Sequence, residues 1–464
     1  MKSSRILLFI ACIIAALASL GAVFPDEGVE VANHHVGFTS LHALAANHEE
    51  HTIEVTPAEP PEMGMLRDSV SYYRTLVSDG DLRFWQPNEH YFDAFWHNVE
   101  RARREGRIVR ILHYGDSQIE MDHISSRLRS HLQQRFGGGG PGMVPFRTIT
   151  PSMTIRQGTF GELTHLASFG DSTVHRSRGD YGPMMQSFRL GGGNAGTTLR
   201  ASQSTSVDER AKRFSRITLI YNNRGRHIGA NLADRQHKAT YPQQTPAGGI
   251  GSLTWQLDSA TNNVKLGVNG NADLYCVLLD DGSGVAVDNI PMRGCSGQQF
   301  TLVPTDKLTA AYAQMDVGLI ILQFGGNSVP YLKTPAQISK YCQSIGRQID
   351  HIRQCCPNAK VLFIGPSDMS TRLRGQLQTY PVIPELIDSL AATAVSHGIA
   401  FWSIYHAMGG HNSMPEWTRQ GLAGQDYIHF SQRGADLMGD RLSQALDNSY
   451  TLYRLNRRLK RKEK

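Results

Sequence analysis

The side chains that could do chemistry in this chain lie in short blocks of glycine and polar residues. Ser117 follows Gly115-Asp116, and Asp426 stands three residues before His429. A neutral serine hydroxyl is a poor nucleophile, so a base must take its proton as it attacks. Histidine suits this role because its ordinary pKa lies near working pH. A carboxylate can hold the imidazole in the required tautomer, so these residue types predict nucleophilic attack on an acyl group.

Two further blocks lie between the serine and the histidine along the chain. Gly294 lies in the run Met292-Arg293-Gly294-Cys295-Ser296-Gly297, and Asn327 follows Gly325-Gly326. Each block alone has an ordinary structural interpretation, because Asp-Ser before a helix is a common cap, and glycine and asparagine are turn residues. His429 could likewise lie in a surface loop before the helix that follows Ser431. The chemical interpretation therefore depends on all four blocks occurring together.

In this order, the four blocks resemble those of the SGNH hydrolase superfamily, also called GDSL esterases. The resemblance implies that Ser117 is the nucleophile, that His429 is the general base and that Asp426 orients the imidazole. It also implies an oxyanion hole made by the backbone N–H groups of Ser117 and Gly294 and the side-chain amide of Asn327. One such donor is typically worth about 3 kcal/mol in the transition state.

The chain departs from the commonest SGNH pattern at two positions. Gln118 stands where the name-giving motif has leucine, a position that we expect to lie outside the chemistry. Ser328 stands where an aspartate often follows the asparagine, which leaves the support of that loop open.

The segment around Ser117 has the pattern of a strand, a tight turn and a helix. Val109, Ile111 and Leu112 predict a buried strand. The apolar residues that follow the turn recur at helical spacing and predict a helix with one buried face. They are Met121, Ile124, Leu128, Leu132 and Phe136. Open α/β sheets keep their chemistry at the carboxyl ends of parallel strands, where this turn would place the serine.

Alternating strands and helices after residue 284 predict a three-layer α/β/α sandwich with a parallel sheet, which is also the SGNH fold. Residues 317–324 form a nearly continuous apolar run, typical of a strand buried on both faces. Between residues 147 and 284 the helical pattern disappears. Short β-type runs, such as 217–221 and 253–257, alternate there with turn residues. This stretch predicts an inserted β-sandwich domain.

The expected domain organisation follows from these patterns. It comprises a signal peptide or N-terminal anchor (1–24), a linker (25–62), the first part of the hydrolase domain (63–146), the inserted β-rich domain (147–284), the second part of the hydrolase domain (285–450) and a basic tail (451–464). Some SGNH esterases that act on peptidoglycan or polysaccharide O-acetyl groups carry a similar insertion that resembles a carbohydrate-binding domain. The insertion could equally be a lid or packing module without a ligand.

The first residues have the pattern of an export signal. Lys2 and Arg5 precede an apolar run, and Ala16 and Ala18 provide a cleavage site. An uncleaved anchor is the alternative, because the apolar character continues to Phe24 and could associate the protein with a membrane. We expect an exported protein in the periplasm, in the cell envelope or outside the cell.

Composition and spacing exclude several other function classes. The net charge is a modest +6, and no basic and aromatic arrangement argues for nucleic acid. The histidines between residues 34 and 51 fit no compact ligand set, and the cysteines form no paired Cys-x-x-Cys spacing. We therefore expect no metal and no cofactor. His113 is expected to pack in the core, and Asp122-His123 to point away from the serine.

These observations predict an exported serine esterase that hydrolyses acyl esters, most simply O-acetyl esters, on a cell-wall or extracellular polysaccharide. Its expected partner is an acylated carbohydrate or another ester substrate. One alternative is an O-acyltransferase with the same triad, in which a sugar hydroxyl replaces water. A second alternative is a non-catalytic glycan-binding envelope protein on a hydrolase fold.

Overall fold

The computed structural model describes residues 63–463, except 171–173, 175, 178, 246 and 247. Ahead of that range it describes residues 12, 13, 15, 16, 19, 29–31 and 34–36. The contacts divide the chain into two compact units, Met1–Pro61 and Glu62–Lys464. In the first unit, β1 (Val29–Val31) pairs antiparallel with β2 (His34–Val36), inside the segment predicted as a linker.

Most of the predicted export signal lies outside the described residues. Within the described part of the chain, no helix combines the length and the apolar character that crossing a bilayer requires.

The second unit contains an α/β domain and a β-rich insertion. Its helices are α1 (Met63–Ser78), α2 (Asp93–Ala102), α3 (Ser125–Phe136), α4 (Thr305–Tyr312), α5 (Pro335–Cys355), α6 (Ile383–Ser396), α7 (Ile404–Met408), α8 (Ser413–Arg419) and α9 (Gln432–Lys462). Its strands are β3 (Phe84–Trp85), β4 (Ile108–Gly115), β5 (Gly142–Pro145), β6 (Ile155–Phe160), β7 (Thr164–Ala167), β8 (Gln186–Ala201), β9 (Phe214–Asn223), β10 (Gly229–Asp234), β11 (Ala239–Gln244), β12 (Gly249–Thr261), β13 (Asn263–Asp280), β14 (Gly284–Pro291), β15 (Val317–Gln323), β16 (Lys360–Ile364), β17 (Ser370–Leu373), β18 (Gln376–Thr379) and β19 (Ala400–Trp402).

A six-stranded sheet in the order β14-β4-β15-β16-β19-β3 forms the central layer of the α/β domain. Neighbouring strands are parallel except β3, which runs antiparallel to β19. Helices α1, α2, α3 and α9 pack together as one group, and α4, α5 and α6 as another. The two groups form the outer layers, so the predicted three-layer α/β/α fold is confirmed.

Burial explains why the central strands read as apolar runs. Every residue of β4 is buried, and β15 is buried after its first residue. On α2, Phe95, Trp96 and Val99 are buried and face the core. The indole N–H of Trp96 donates to Ser449 Oγ at 3.1 Å, which ties α2 to α9.

The β-rich insertion is antiparallel and has a core of its own. The first part of β13 pairs with β8 and β10, and its last part pairs with β9 and β5. The pairing register with β8 shifts between Asn269 and Asn271, where Gly270 has a φ of +122°. Side chains from both parts, such as Leu266 and Leu279, enter one cluster, as in a sandwich whose layers are continuous through one strand. Because β5 pairs with β13, this sheet begins at Gly142, ahead of the boundary predicted at 147.

The segment after Ser117 differs from the predicted continuous helix. A short 3-10 turn, Ser117–Ile119, is followed by residues with left-handed backbone, and α3 starts only at Ser125. The cause is Asp122, which is buried and accepts two hydrogen bonds from Arg129, at 2.6 and 3.0 Å. This ion pair stabilises a bend between the 3-10 turn and α3, which the spacing of the apolar residues did not predict.

The segment predicted as a basic tail also differs, because α9 continues to Lys462. Leu452, Tyr453 and Asn456 are buried on one face of this helix. Their helical spacing is masked in the sequence by the lysines and arginines between them. The last turns of α9 therefore pack on the second unit instead of forming a solvated end.

A buried ion-pair cluster joins the serine-bearing strand to the insertion. Arg110 on β4 donates to Asp288 on β14 at 2.7 and 2.9 Å, and also to Asp280 at the end of β13. All three side chains are almost fully buried. Removing Arg110 would leave the buried carboxylate of Asp288 without its ion-pair partner in a site that water does not reach.

We expect Arg110→Met to lower the free energy of unfolding by about 3–5 kcal/mol, because the buried carboxylate of Asp288 loses its ion-pair partner. Glu416→Ala removes a partner of Arg419 at the surface and should cost less than about 1 kcal/mol. Urea unfolding monitored by circular dichroism measures both values. Equal losses in the two variants would contradict the structural role of the buried cluster.

Candidate active site

Adjacent parallel strands deliver the predicted site residues to one edge of the sheet. Gly294 follows β14, Ser117 follows β4, and Asn327 follows β15. The loops are tied to each other at their first residues, because Met292 N–H donates to Gly115 at 2.7 Å and Asp116 N–H donates to Gln323 at 3.3 Å. The carboxyl ends of neighbouring strands therefore stay level, as expected for a site in an open α/β sheet.

The predicted serine, histidine and acid form a connected chain of contacts. Ser117 Oγ lies 2.8 Å from His429 Nε2, and His429 Nδ1 lies 2.7 Å from Asp426 Oδ2. Both distances fit a proton relay in which the imidazole takes the hydroxyl proton and the carboxylate holds the other ring nitrogen. The structure thus brings together all three residues that the sequence singled out.

The spacing of Asp426 and His429 has a local structural cause. Asp426 Oδ1 accepts hydrogen bonds from the backbone N–H groups of Ile428 and His429, at 3.0 and 3.1 Å. This leaves Oδ2 for the imidazole, while Tyr427 takes a left-handed conformation with φ +56°. Burial alone would raise the pKa of Asp426, but the hydrogen bonds from His429 and Ile428 outweigh it and hold the pKa below its ordinary value.

Two backbone N–H groups are available as oxyanion donors. In the described part of the chain, neither the N–H of Ser117 nor that of Gly294 donates to an acceptor. Gly294 has a φ of +72°, a conformation that L side chains rarely adopt, and no atom lies within 4 Å of where its Cβ would be. The glycine is therefore required by its backbone conformation, more than by crowding from the protein.

The amide of Asn327 is already engaged. Its Nδ2 donates to Asp116 Oδ2 and to the backbone oxygen of Cys295, both at 3.1 Å. These bonds join the loops after β15, β4 and β14. An oxyanion would have to share one of the two amide hydrogens with Asp116 or Cys295. The sequence pattern did not indicate that this amide already has partners.

Asp116 connects the serine turn to the asparagine loop. Its Oδ1 accepts from the N–H of Gln118 at 3.0 Å, and so caps the 3-10 turn that carries Ser117. Burial raises the pKa of Asp116 to about 6, although bonds from Gln118 and Asn327 and the charge of His429 oppose the shift.

A cleft of about 620 Å³ surrounds these groups. Tyr331 stands on its rim with 76% of its surface exposed, and Met121 is exposed nearby. Arg293, next to Gly294, donates to both carboxylate oxygens of Glu120, at 2.7 and 2.6 Å. The rim thus combines an aromatic ring, an apolar side chain and a charged pair.

Several residues at this site lie where the sequence predicted them, and others do not. His113 is buried between Gln323 and Ser125, as expected. His123 lines the cleft, which differs from the expectation that it would point away. Gln118, expected to lie outside the chemistry, reaches the loop that carries His429. The polar Gln118, at a position where the motif usually has leucine, was the signal in the sequence that this residue makes a specific contact.

Neither metal-binding groups nor disulfides occur among the described residues. No cluster of three or more His, Cys, Asp or Glu side chains could hold an ion there. Every cysteine described by the structure is free.

Residues 257–437 match the family model of the GDSL-like lipase/acylhydrolase family. This match confirms the resemblance to the SGNH superfamily and, at the level of the family, the prediction of a carboxylic ester hydrolase. The matched range contains Gly294, Asn327, Asp426 and His429 but not Ser117, which the insertion separates from them. The contact of Ser117 with His429 in the structure connects the serine to the matched range.

The fold is also similar to that of a peptidoglycan O-acetylesterase of known structure, with a TM-score of 0.63 and 23% identity over 79% of this chain and 98% of that one. A family two carbohydrate esterase from Clostridium thermocellum, in complex with cellohexaose, aligns with a TM-score of only 0.23 and 10% identity, covering 62% of this chain and 98% of that one. No curated protein matches the chain in sequence.

The raised pKa of Asp116 predicts a specific pH dependence of stability. Between the ordinary pKa of 3.8 and the folded-state value of about 6, the folded chain keeps a proton that the unfolded chain has lost. The contribution of Asp116 to the free energy of unfolding therefore falls as pH rises through this window.

We expect Asp116→Asn to lack this contribution. The free energy of unfolding of the variant, minus that of the wild type, should rise by about 2–3 kcal/mol between about pH 4 and about pH 7. Urea unfolding of both proteins at the two pH values measures the change. A difference that stays constant with pH would contradict a buried, titrating carboxyl group at this position.

Proposed function

We propose that the protein is an exported serine esterase that removes O-acetyl groups from a cell-wall or extracellular polysaccharide. The observation that most directly supports this function is the contact of Ser117 Oγ with His429 Nε2 at 2.8 Å, continued to Asp426 at 2.7 Å. These are the residue types and contacts that serine-dependent ester cleavage requires.

In the proposed reaction, Ser117 Oγ attacks the carbonyl carbon of the acetyl ester while His429 Nε2 takes the hydroxyl proton. Asp426 stabilises the imidazolium that forms. The tetrahedral intermediate collapses, His429 returns the proton to the sugar oxygen, and the sugar hydroxyl leaves. A water molecule, deprotonated by His429, then attacks acetyl-Ser117 and releases acetate.

The negative charge on the carbonyl oxygen needs donors that are already in place. The N–H groups of Ser117 and Gly294, which donate to no acceptor among the described residues, can provide two of them. Asn327 would provide the third by sharing a hydrogen with the new oxyanion. At about 3 kcal/mol for one donor, the hole accounts for a large part of the expected acceleration.

Access of solvent to the triad supports hydrolysis over acyl transfer. The side chains of His429 and Asp426 are 44% and 48% exposed. Water therefore reaches the imidazole that must activate it, whereas transfer to a sugar hydroxyl requires that water be kept from the acyl-enzyme.

The rim of the cleft supports a carbohydrate as the alcohol part of the ester. Tyr331 offers an exposed aromatic ring on the cleft that contains Ser117, and aromatic faces pack well against the apolar face of a sugar ring. Its phenolic hydroxyl can bond a sugar hydroxyl. The similar fold of a peptidoglycan O-acetylesterase agrees with this class of substrate.

Export is the part of the proposal that depends on the sequence. Lys2 and Arg5 followed by an apolar run and by Ala16 and Ala18 have the order of a secretory signal. Cell-wall polysaccharides lie beyond the cytoplasmic membrane, so the proposed substrate and the signal require the same location.

We expect Ser117→Ala to reduce acetate release from O-acetylated peptidoglycan by at least about 10³-fold, because the nucleophile is lost. Ser339→Ala, on the exposed side of α5, should leave the rate unchanged. A coupled acetate assay on the purified protein measures both rates. Equal rates in wild type and Ser117→Ala would disprove the proposed mechanism, and acetyl transfer to an added glycan that exceeds acetate release would favour the acyltransferase.

We expect Tyr331→Ala to raise KM for an acetylated oligosaccharide about 5–20-fold, the equivalent of about 1–2 kcal/mol of stacking. KM for a small acetyl ester without a sugar should not change. Tyr72→Ala, on the distant helix α1 and 61% exposed, is the matched control. A rise in KM for both substrates would argue against a sugar-binding role for this ring.

A further inference from the structure

The side chain of Gln118 links the serine turn to the histidine loop. Gln118 directly follows Ser117 in the 3-10 turn. Its Nε2 donates to the backbone oxygen of Ile428 at 2.6 Å, and its Oε1 accepts from the backbone N–H of Phe430 at 3.3 Å. The two contacted residues stand on either side of His429.

This two-point contact constrains the loop more than a single bond would. A primary amide that pairs with the C=O of one residue and the N–H of the residue two positions later fixes both the distance and the orientation of the backbone between them. That backbone belongs to His429. Gln118 also donates to Ser367 Oγ at 3.2 Å, which holds the amide from the third side.

The histidine loop needs such support on the side facing the serine. Its two catalytic candidates, Asp426 and His429, are each almost half exposed, so no core encloses their side chains. Ile428 packs only partly against the apolar core. Among the described side chains, Gln118 is the one whose amide bonds the backbone on both sides of His429.

We propose that Gln118 is a positioning residue that sets the distance between Ser117 Oγ and His429 Nε2. This inference rests on the proposed esterase function. Residue 118 directly follows the nucleophile, and its amide bonds the backbone on both sides of His429. The serine turn and the histidine loop are therefore held together. A displacement of about 1 Å between reacting groups can cost about 10²-fold in rate, so this coupling affects kcat directly.

The position also explains why the chain can differ from the usual motif. The leucine found there in the SGNH pattern could fill the space but could not bond either backbone group. In this chain the amide replaces apolar packing with directional bonds. The residue that bonds the histidine loop therefore directly follows the nucleophile in the sequence.

The test uses Gln118→Met, which has a similar length but no N–H donor or carbonyl acceptor. We expect kcat for a small acetyl ester to fall about 10–10²-fold while KM stays within about 2-fold of wild type. The rate at which a phosphonofluoridate labels Ser117 should fall in parallel, because labelling depends on the same hydroxyl–imidazole contact. Gln118→Glu, when ionised, places a carboxylate oxygen against the backbone oxygen of Ile428 and repels it, so kcat should fall at least as far as in Gln118→Met.

Gln420→Met is the matched control, since within the described structure the side chain of Gln420 bonds only Glu416, at 2.5 Å, outside the cleft. Its kcat and KM should equal those of wild type. An unchanged kcat in Gln118→Met overturns the proposal, and so does a loss of kcat that follows the folded fraction in thermal unfolding. Wild type and Ser117→Ala are assayed alongside. If both are inactive, the esterase function itself has failed, whereas an active wild type with an equally active Gln118→Met refutes only the positioning role.

Discussion

The common register of four parallel strands is the constraint on which the rest of the site depends. Pro291, Gly115, Gln323 and Ile364 stand opposite one another across β14, β4, β15 and β16. The loops that carry Gly294, Ser117 and Asn327 therefore start at the same height. A slip of one residue would move a loop by about 3.3 Å and turn its side chains to the other face. Buried strands resist such a slip, because the whole apolar set would change its partners.

The base comes from outside this sheet, and its placement needs a different kind of control. Ser117 and His429 lie 312 residues apart in the chain, and their contact joins the turn after β4 to the loop before α9. Asp426 organises that loop locally by using one oxygen for backbone N–H groups and the other for the imidazole. Polar contacts, such as the bonds from Gln118, then dock the loop against the serine turn. The site thus combines a rigid edge with a loop held by hydrogen bonds.

The sequence predicted those features that leave a periodic or local signal. The apolar run at 317–324 identified the central strand, and the Asp-x-x-His spacing identified a pair that its own backbone holds together. The bend after Ser117 could not be predicted, because it depends on the ion pair of Asp122 with Arg129. The engagement of Asn327 with Asp116 was equally hidden, since it joins loops that are distant in the chain. The helical end of the chain was missed because basic residues obscured its buried face.

The central claim is that Ser117 becomes acylated during turnover. The most direct measurement is mass spectrometry of the protein after rapid acid quenching during hydrolysis of an acetylated glycan. The account predicts that the peptide containing Ser117 gains the mass of one acetyl group, and that this adduct accumulates when deacylation is slowed. Acetate release without any adduct on that peptide, or with the acetyl group on another residue, would contradict it.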